Sequence, residues 1–182
     1  MLKEIIAIGD IEMGGGTLTD DFISDTALSE LIASLSTRKH AVDLVLNGDT
    51  LDFLKCPFKE KDTHSYPRHI TAEISLNKLE QMHRAHRRVF QALKSFAASP
   101  EHNLFFIIGN HDHDIFFPEV QVKIKEYLGN SPQVHFPGLK YHQHGVWIEH
   151  GQQYDFLNRV SFQDLFLQYQ GKSILNFPFV SF

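Results

Sequence analysis

The sequence predicts an α/β layered fold, and three observations carry that expectation. Short, continuous apolar runs recur at Glu4–Asp10 (EIIAIGD), Val42–Asp49 (VDLVLNGD) and Asn103–Asn110 (NLFFIIGN). Continuous rather than alternating apolarity marks strands buried on both faces. Segments with helical spacing lie between the runs, the alternation expected of a sheet whose two faces are covered. Finally, each run ends in glycine followed by a polar side chain, Asp10, Asp49 or Asn110.

Taken in order, Met13–Asp21 (MGGGTLTDD) reads as a glycine-rich loop. Asp25–Ser36 has Leu28, Leu31, Ile32 and Leu35 on one helical face, with Ser24 or Asp25 placed to cap it. Ser75–Ser99 reads as one long amphipathic helix carrying Leu76, Leu79, Met82, Val89, Leu93 and Phe96 on its apolar face, with Pro100 just beyond its end. Pro118–Gly129 has the proline start and glycine stop of a further helix. Short β-like pieces follow, and a fourth strand, Gly145–Glu149, runs into His150–Gly151. The phenylalanine- and glutamine-rich remainder, Gln152–Phe182, carries no clear element signal.

The bulk numbers exclude several classes. The 182 residues suit one domain, and 42% hydrophobic with 21% charged residues is an ordinary globular composition. A net charge of -5 disfavours binding of duplex nucleic acid, which requires clustered cations. A single cysteine, Cys56, rules out an intrachain disulfide and fits a reducing, cytoplasmic setting. No stretch approaches the roughly 20 apolar residues of a membrane span, and the N-terminal apolar run is too short for a signal peptide.

Ligands of open α/β sheets gather outside the carboxyl ends of the strands. Four strands delivering Asp10, Asp49, Asn110 and His150 to one such edge make a candidate site. Carboxylates, an amide and an imidazole together suit divalent ions such as Mn, Fe, Zn, Co or Ni. Glycine before the polar residue permits a sharp turn and leaves room beside a cation. A carboxylate shared by two ions about 3.5–4 Å apart would help hold a phosphoryl oxygen and generate hydroxide at neutral pH. His111 would then protonate the leaving oxygen, with Asp112 positioning the imidazole.

The blocks GDIE (Gly9–Glu12), GDTLD (Gly48–Asp52), GNHD (Gly109–Asp112) and EHG (Glu149–Gly151) resemble, in that order, the motifs of the calcineurin-like metallophosphoesterases. The likeness covers Leu2 to about Asp155. It implies an αββα sandwich with its core over residues 1–155, and 156–182 continuing that domain or beginning an insert. It also implies two divalent metal ions, with Mn favoured. Asp10 and Glu12 would serve the first ion, Asp49 would bridge, and Asn110 and His150 would serve the second. His111 and Asp112 would be catalytic and Asp52 supporting. The implied activity is hydrolysis of a phosphomonoester, phosphodiester or pyrophosphate bond in a small molecule or phosphorylated substrate.

Two departures qualify the likeness. Glu12 stands where the family has histidine, and the family's terminal Gly-His-x-His block has no counterpart after His150. The C-terminal side of the sandwich is therefore expected to be incomplete. The alternatives are a degenerate, non-catalytic scaffold of the same fold, or a homo-oligomer in which a swapped partner supplies the lacking ligands. Outside the motifs, Arg68 in the loop after GDTLD is a candidate substrate contact. Arg84, Arg87 and Arg88 of HRAHRR form either a solvated helix face or a basic rim for an anionic substrate.

Overall fold

The computed structural model describes residues 3–178. The apolar tail read from the sequence, Asn176–Phe182, thus lies partly outside the described residues. A parallel sheet of four strands forms the centre, in the order β1-β2-β5-β6: β1 (Lys3–Ile8), β2 (Ala41–Asn47), β5 (Asn103–Ile107) and β6 (Val134–Gly138). The crossovers carry the helices α1 (Asp25–Ser36), α2 (Ala72–Ala85), α3 (Arg87–Ala97) and α4 (Pro118–Tyr127). Three small antiparallel hairpins stand apart from this sheet: β3 (Phe58–Glu60) with β4 (Thr63–Ser65), β7 (Lys140–Gln143) with β8 (Val146–Glu149), and β9 (Phe166–Tyr169) with β10 (Lys172–Leu175). No helix of the described residues is long and apolar enough to cross a membrane.

Strand alternation divides the core. Val42, Leu44 and Leu46 of β2, with Leu104 and Phe106 of β5, pack in one cluster with Leu28, Ile32 and Leu35 of α1. The same cluster takes in Leu79 and Met82 of α2, Val89, Leu93 and Phe96 of α3, and Val120 and Ile124 of α4. All four helices thus share one face of the sheet. Val45, Phe105 and Ile107 point the other way, against Tyr141 of β7 and Ile148 of β8. That second face carries a hairpin where the sequence suggested helices, and Ala7 of β1 is exposed.

Three expectations change. The strand before His150 does not extend the parallel sheet. It turns back on β7 through His144 and Gly145, both in the left-handed region at φ 54° and 76°. The fourth parallel strand is β6 instead. The helix expected over Ser75–Ser99 is two helices, because His86 leaves helical geometry (φ -106°, ψ 35°). Its buried ring sits between two carboxylates, with Nε2 2.9 Å from Asp20 Oδ2 and Nδ1 3.0 Å from Asp25 Oδ1. Ser24 occupies the cap position of α1 but its hydroxyl makes no cap bond, and Asp25 is committed to His86. The glycine-rich loop is organised from the same point, since the Gly14, Gly16 and Phe22 N–H groups all donate to Asp20.

The hairpin is fastened to the sheet through a charge. Asp43 of β2 is fully buried, and its carboxylate accepts from Tyr141 Oη at 2.7 Å and Asn103 Nδ2 at 2.8 Å while pairing with Lys3 Nζ at 2.8 Å. A buried carboxylate needs such partners, and hydrogen bonds to charged groups are worth about 1.5–3 kcal/mol. Tyr141→Phe is expected to lower unfolding stability by about that amount. Urea denaturation checks this, and an unchanged midpoint would show that the bond does not fasten the hairpin.

Candidate metal centre

The polar ends of β1 and β2 are brought side by side by a short backbone ladder. Asp10 N–H donates to Gly48 O at 3.2 Å, Glu12 N–H to Asp49 O at 2.7 Å, and Met13 N–H to Thr50 O at 3.1 Å. These bonds hold three non-glycine residues in the left-handed region: Asp10 (φ 53°), Glu12 (φ 55°) and Asp49 (φ 49°). Such conformations are uncommon outside glycine and persist where surrounding structure enforces them. All three are residues the sequence nominated as ligands.

Glycines make room for the neighbouring strand's ligand as well as for the turn. A Cβ at Gly109 would collide with the Asp49 carboxylate, and one at Gly48 (φ 78°) would collide with the His150 ring. Asp49 thus lies against Gly109, and His150 lies over Gly48.

The structure brings together Asp10, Asp49 and His150 in one group, and Glu12, Asp49 and His111 in another. Within each group, one ligand atom per residue lies within 4.8 Å of the others. Asp49 belongs to both, the arrangement required of a bridging carboxylate. His150 Nε2 is 3.2 Å from Asp49 Oδ2, while its Nδ1 is 2.9 Å from Asn47 O, which fixes the ring's orientation. The hairpin strand reaches the site by this route, helped by Asn47 Nδ2 donating to Glu149 O at 3.1 Å. Asn110 is half-buried, next to His111, whose N–H donates to Asp49 Oδ1 at 2.8 Å.

Asp52 and Asp112 exchange the parts expected of them. The carboxylate that orients His111 is Asp52, whose Oδ1 is 3.0 Å from Nδ1. Asp112 is fully buried and ties two motif backbones together, accepting the Gly109 N–H at 2.6 Å and the Thr50 N–H at 2.9 Å. Its bonds run to the main chain of the strand-end loops rather than to the imidazole. Arg68 is exposed and lines a cavity of about 320 Å³ together with Leu54, Tyr66, Ile70 and Lys78.

The electrostatics follow these contacts. Burial pushes the Asp49 carboxyl up, but the His150 ring and the His111 N–H more than offset this, leaving it below the ordinary carboxylate value. Asp52 behaves alike: burial raises it, and His111 and the Lys55 N–H bring it below the ordinary value. The hydrogen bond that His111 Nδ1 donates to Asp52 raises its pKa against the opposing effect of burial. Asp49 lifts His150 to about 9. Burial, with the Asp49 charge adding, pushes Asp112 up to about 7. Cys56 is buried, which drives its thiol up to about 12 and makes it a poor nucleophile.

The sequence did not nominate Lys55. Its ammonium lies 2.9 Å from Glu12 Oε2, 3.0 Å from Asp21 Oδ2 and 3.4 Å from Asp52 Oδ2. Two of the three arginines of HRAHRR have acidic or hydroxyl partners on the helices: Arg84 pairs with Glu80, and Arg88 contacts Thr26 and Glu30.

Comparison with family models, with curated proteins and with solved structures finds no match.

Two outcomes test this geometry. Gly109→Ala should displace Asp49, lowering stability by about 1–3 kcal/mol and weakening divalent-cation binding; thermal melts with and without Mn²⁺ check it. In chelator-treated protein, Asp52→Asn should lower the titration midpoint of His111 followed by NMR. A midpoint that stays put would show that Asp52 does not set the imidazole's protonation.

Proposed function

We propose that the protein is a metal-dependent phosphohydrolase of the calcineurin-like metallophosphoesterase type, acting on a phosphomonoester, phosphodiester or pyrophosphate bond. The observation that carries the reading is the sharing of Asp49 between two potential ligand groups whose side chains come from four chain segments, with Asp10, Glu12 and Asp49 held in the left-handed region. Oxygen and imidazole donors in this mixture suit Mn²⁺ and similar ions. The motifs pair Asp10 with Glu12 and Asn110 with His150, whereas the side chains that lie together are Asp10, Asp49 and His150, which would hold one ion, and Glu12 and Asp49, which would contribute to a second. Bound there, the ions would polarise a phosphoryl oxygen and lower the pKa of water.

The chain's own residues supply the rest. Asp49 lies at the shared position, where its negative charge would offset repulsion between two bound cations. His111 is half-buried and held by Asp52, with a raised pKa that keeps it protonated further into the neutral range than a free imidazole. A protonated imidazole at this place suits donation to a leaving oxygen or stabilisation of charge on a phosphoryl group. Asp112 keeps the GNHD and GDTLD backbones in register, and so positions both Asp49 and His111.

The αββα sandwich implied by the motifs belongs to the same proposal. The parallel sheet with helices on one face and a hairpin on the other is compatible with one half of such a sandwich.

The test is turnover of p-nitrophenyl phosphate and bis(p-nitrophenyl) phosphate by chelated protein, with and without Mn²⁺. Activity should depend on the added ion, and Asp49→Asn and His111→Ala should each reduce it by about 100-fold or more. Mn²⁺ bound without turnover of either ester would favour the non-catalytic scaffold. Turnover that survives both substitutions would place the chemistry elsewhere.

A further inference from the structure

The two ligand groups that share Asp49 differ in one respect. Asp10 has no ammonium group within ion-pair distance among the described contacts, whereas Glu12 is in contact with Lys55. Lys55 is also the meeting point of carboxylates from three segments: Glu12 after β1, Asp21 of the glycine-rich loop, and Asp52 of GDTLD. Its backbone N–H donates to Asp52 Oδ1 at 3.0 Å, the oxygen that also faces His111. Two further contacts hold the segment in place, since Thr19 Oγ1 and Tyr66 Oη both donate to Lys55 O, at 2.7 and 3.2 Å. The ammonium is therefore lodged beside the Glu12–Asp49–His111 group by its own side-chain contacts and by a fixed backbone.

A resident cation at that place has two effects on an incoming divalent ion. It occupies Glu12 Oε2, which the ion would otherwise share, and it repels the ion directly. The Asp10–Asp49–His150 group has Lys55 only at longer range. With its side chain about one-third exposed, the effect of Lys55 is screened, so it biases the weaker position rather than closing it.

We infer that Lys55 is the residue that makes the two cation positions unequal: its ammonium competes for Glu12, so the position beside Asp10, Asp49 and His150 fills first and the position beside Glu12 and Asp49 fills much more weakly. Lys55 offsets only one of the three negative charges that meet there, those of Glu12, Asp21 and Asp52. The inference rests on the metal-dependent reading above.

Calorimetric titration of Mn²⁺ into the chelated full chain tests it, with circular dichroism on every variant. Wild-type protein should show one tight event and a second at least about tenfold weaker. Lys55→Met should tighten the second event by about tenfold or more while leaving the first nearly unchanged. Lys55→Arg keeps the charge and should keep the wild-type pattern, and Glu12→Gln should remove the weak event. If Lys55→Met does not fold, Lys55→Gln carries the same expectation. Two equal events in wild-type protein would overturn the inference and leave the hydrolase reading intact. So would a folded Lys55→Met whose second event is unchanged or weaker, which is what a merely structural strap would give. Wild-type protein that binds no Mn²⁺ would sink the hydrolase reading, and this inference with it.

Discussion

The structure depends on where one carboxylate is put. Asp49 leaves β2 in a left-handed conformation, is almost fully buried, and lies against a glycine on the neighbouring strand's loop. Burying a carboxylate in this way is costly unless donors surround it. His150 and the His111 N–H are those donors, and each comes from a different part of the fold. Gly48 is the clearance that lets His150 in, and Gly109 is the clearance that Asp49 itself occupies. A divalent cation among the same groups would relieve the remaining concentration of negative charge from Asp10, Glu12 and Asp49.

Seen from Asp49 outward, the parallel sheet is a device for alignment. β1, β2 and β5 are adjacent and parallel, so their carboxyl ends fall on one edge. The backbone bonds from Asp10, Glu12 and Met13 to the GDTLD segment continue the pairing past the strand ends. Asp112 performs the same service between β5 and β2 through two backbone N–H groups. The hairpin β7–β8 adds the last component. Asp43 and Tyr141 fasten it to the second face of the sheet, and Asn47 holds Glu149 and His150 at the edge.

Much of this was legible in the sequence, for a physical reason. A strand buried on both faces is continuously apolar, so a glycine and a carboxylate at its end stand out sharply. Asp10, Asp49 and His150 converge as that pattern implied, and the spans of α1 and α4 follow from their apolar spacing, capping glycine and proline. The misreadings have a common cause, in that each depends on a partner far away in the chain. His86 interrupts a periodic helix because Asp20 and Asp25 take its ring, which spacing within the helix does not reveal. Asp52 holds His111 although Asp112 is its neighbour, because Asp112 is turned inward onto backbone donors. Lys55 had one local signal, its position three residues after Asp52, but its contacts with Glu12 and Asp21 exist only once the loops have been folded together. The segment before His150 reads as a strand in either case, and only pairing with β7 rather than with the sheet decides its place.

The most direct test of this account is anomalous diffraction from crystals of the full chain soaked in Mn²⁺. The account expects a manganese peak within coordination distance of the Asp49 carboxylate, on the side shared with Asp10 and His150. A peak elsewhere on the molecule, or none while Asp10, Asp49 and His150 keep the arrangement described, would contradict it.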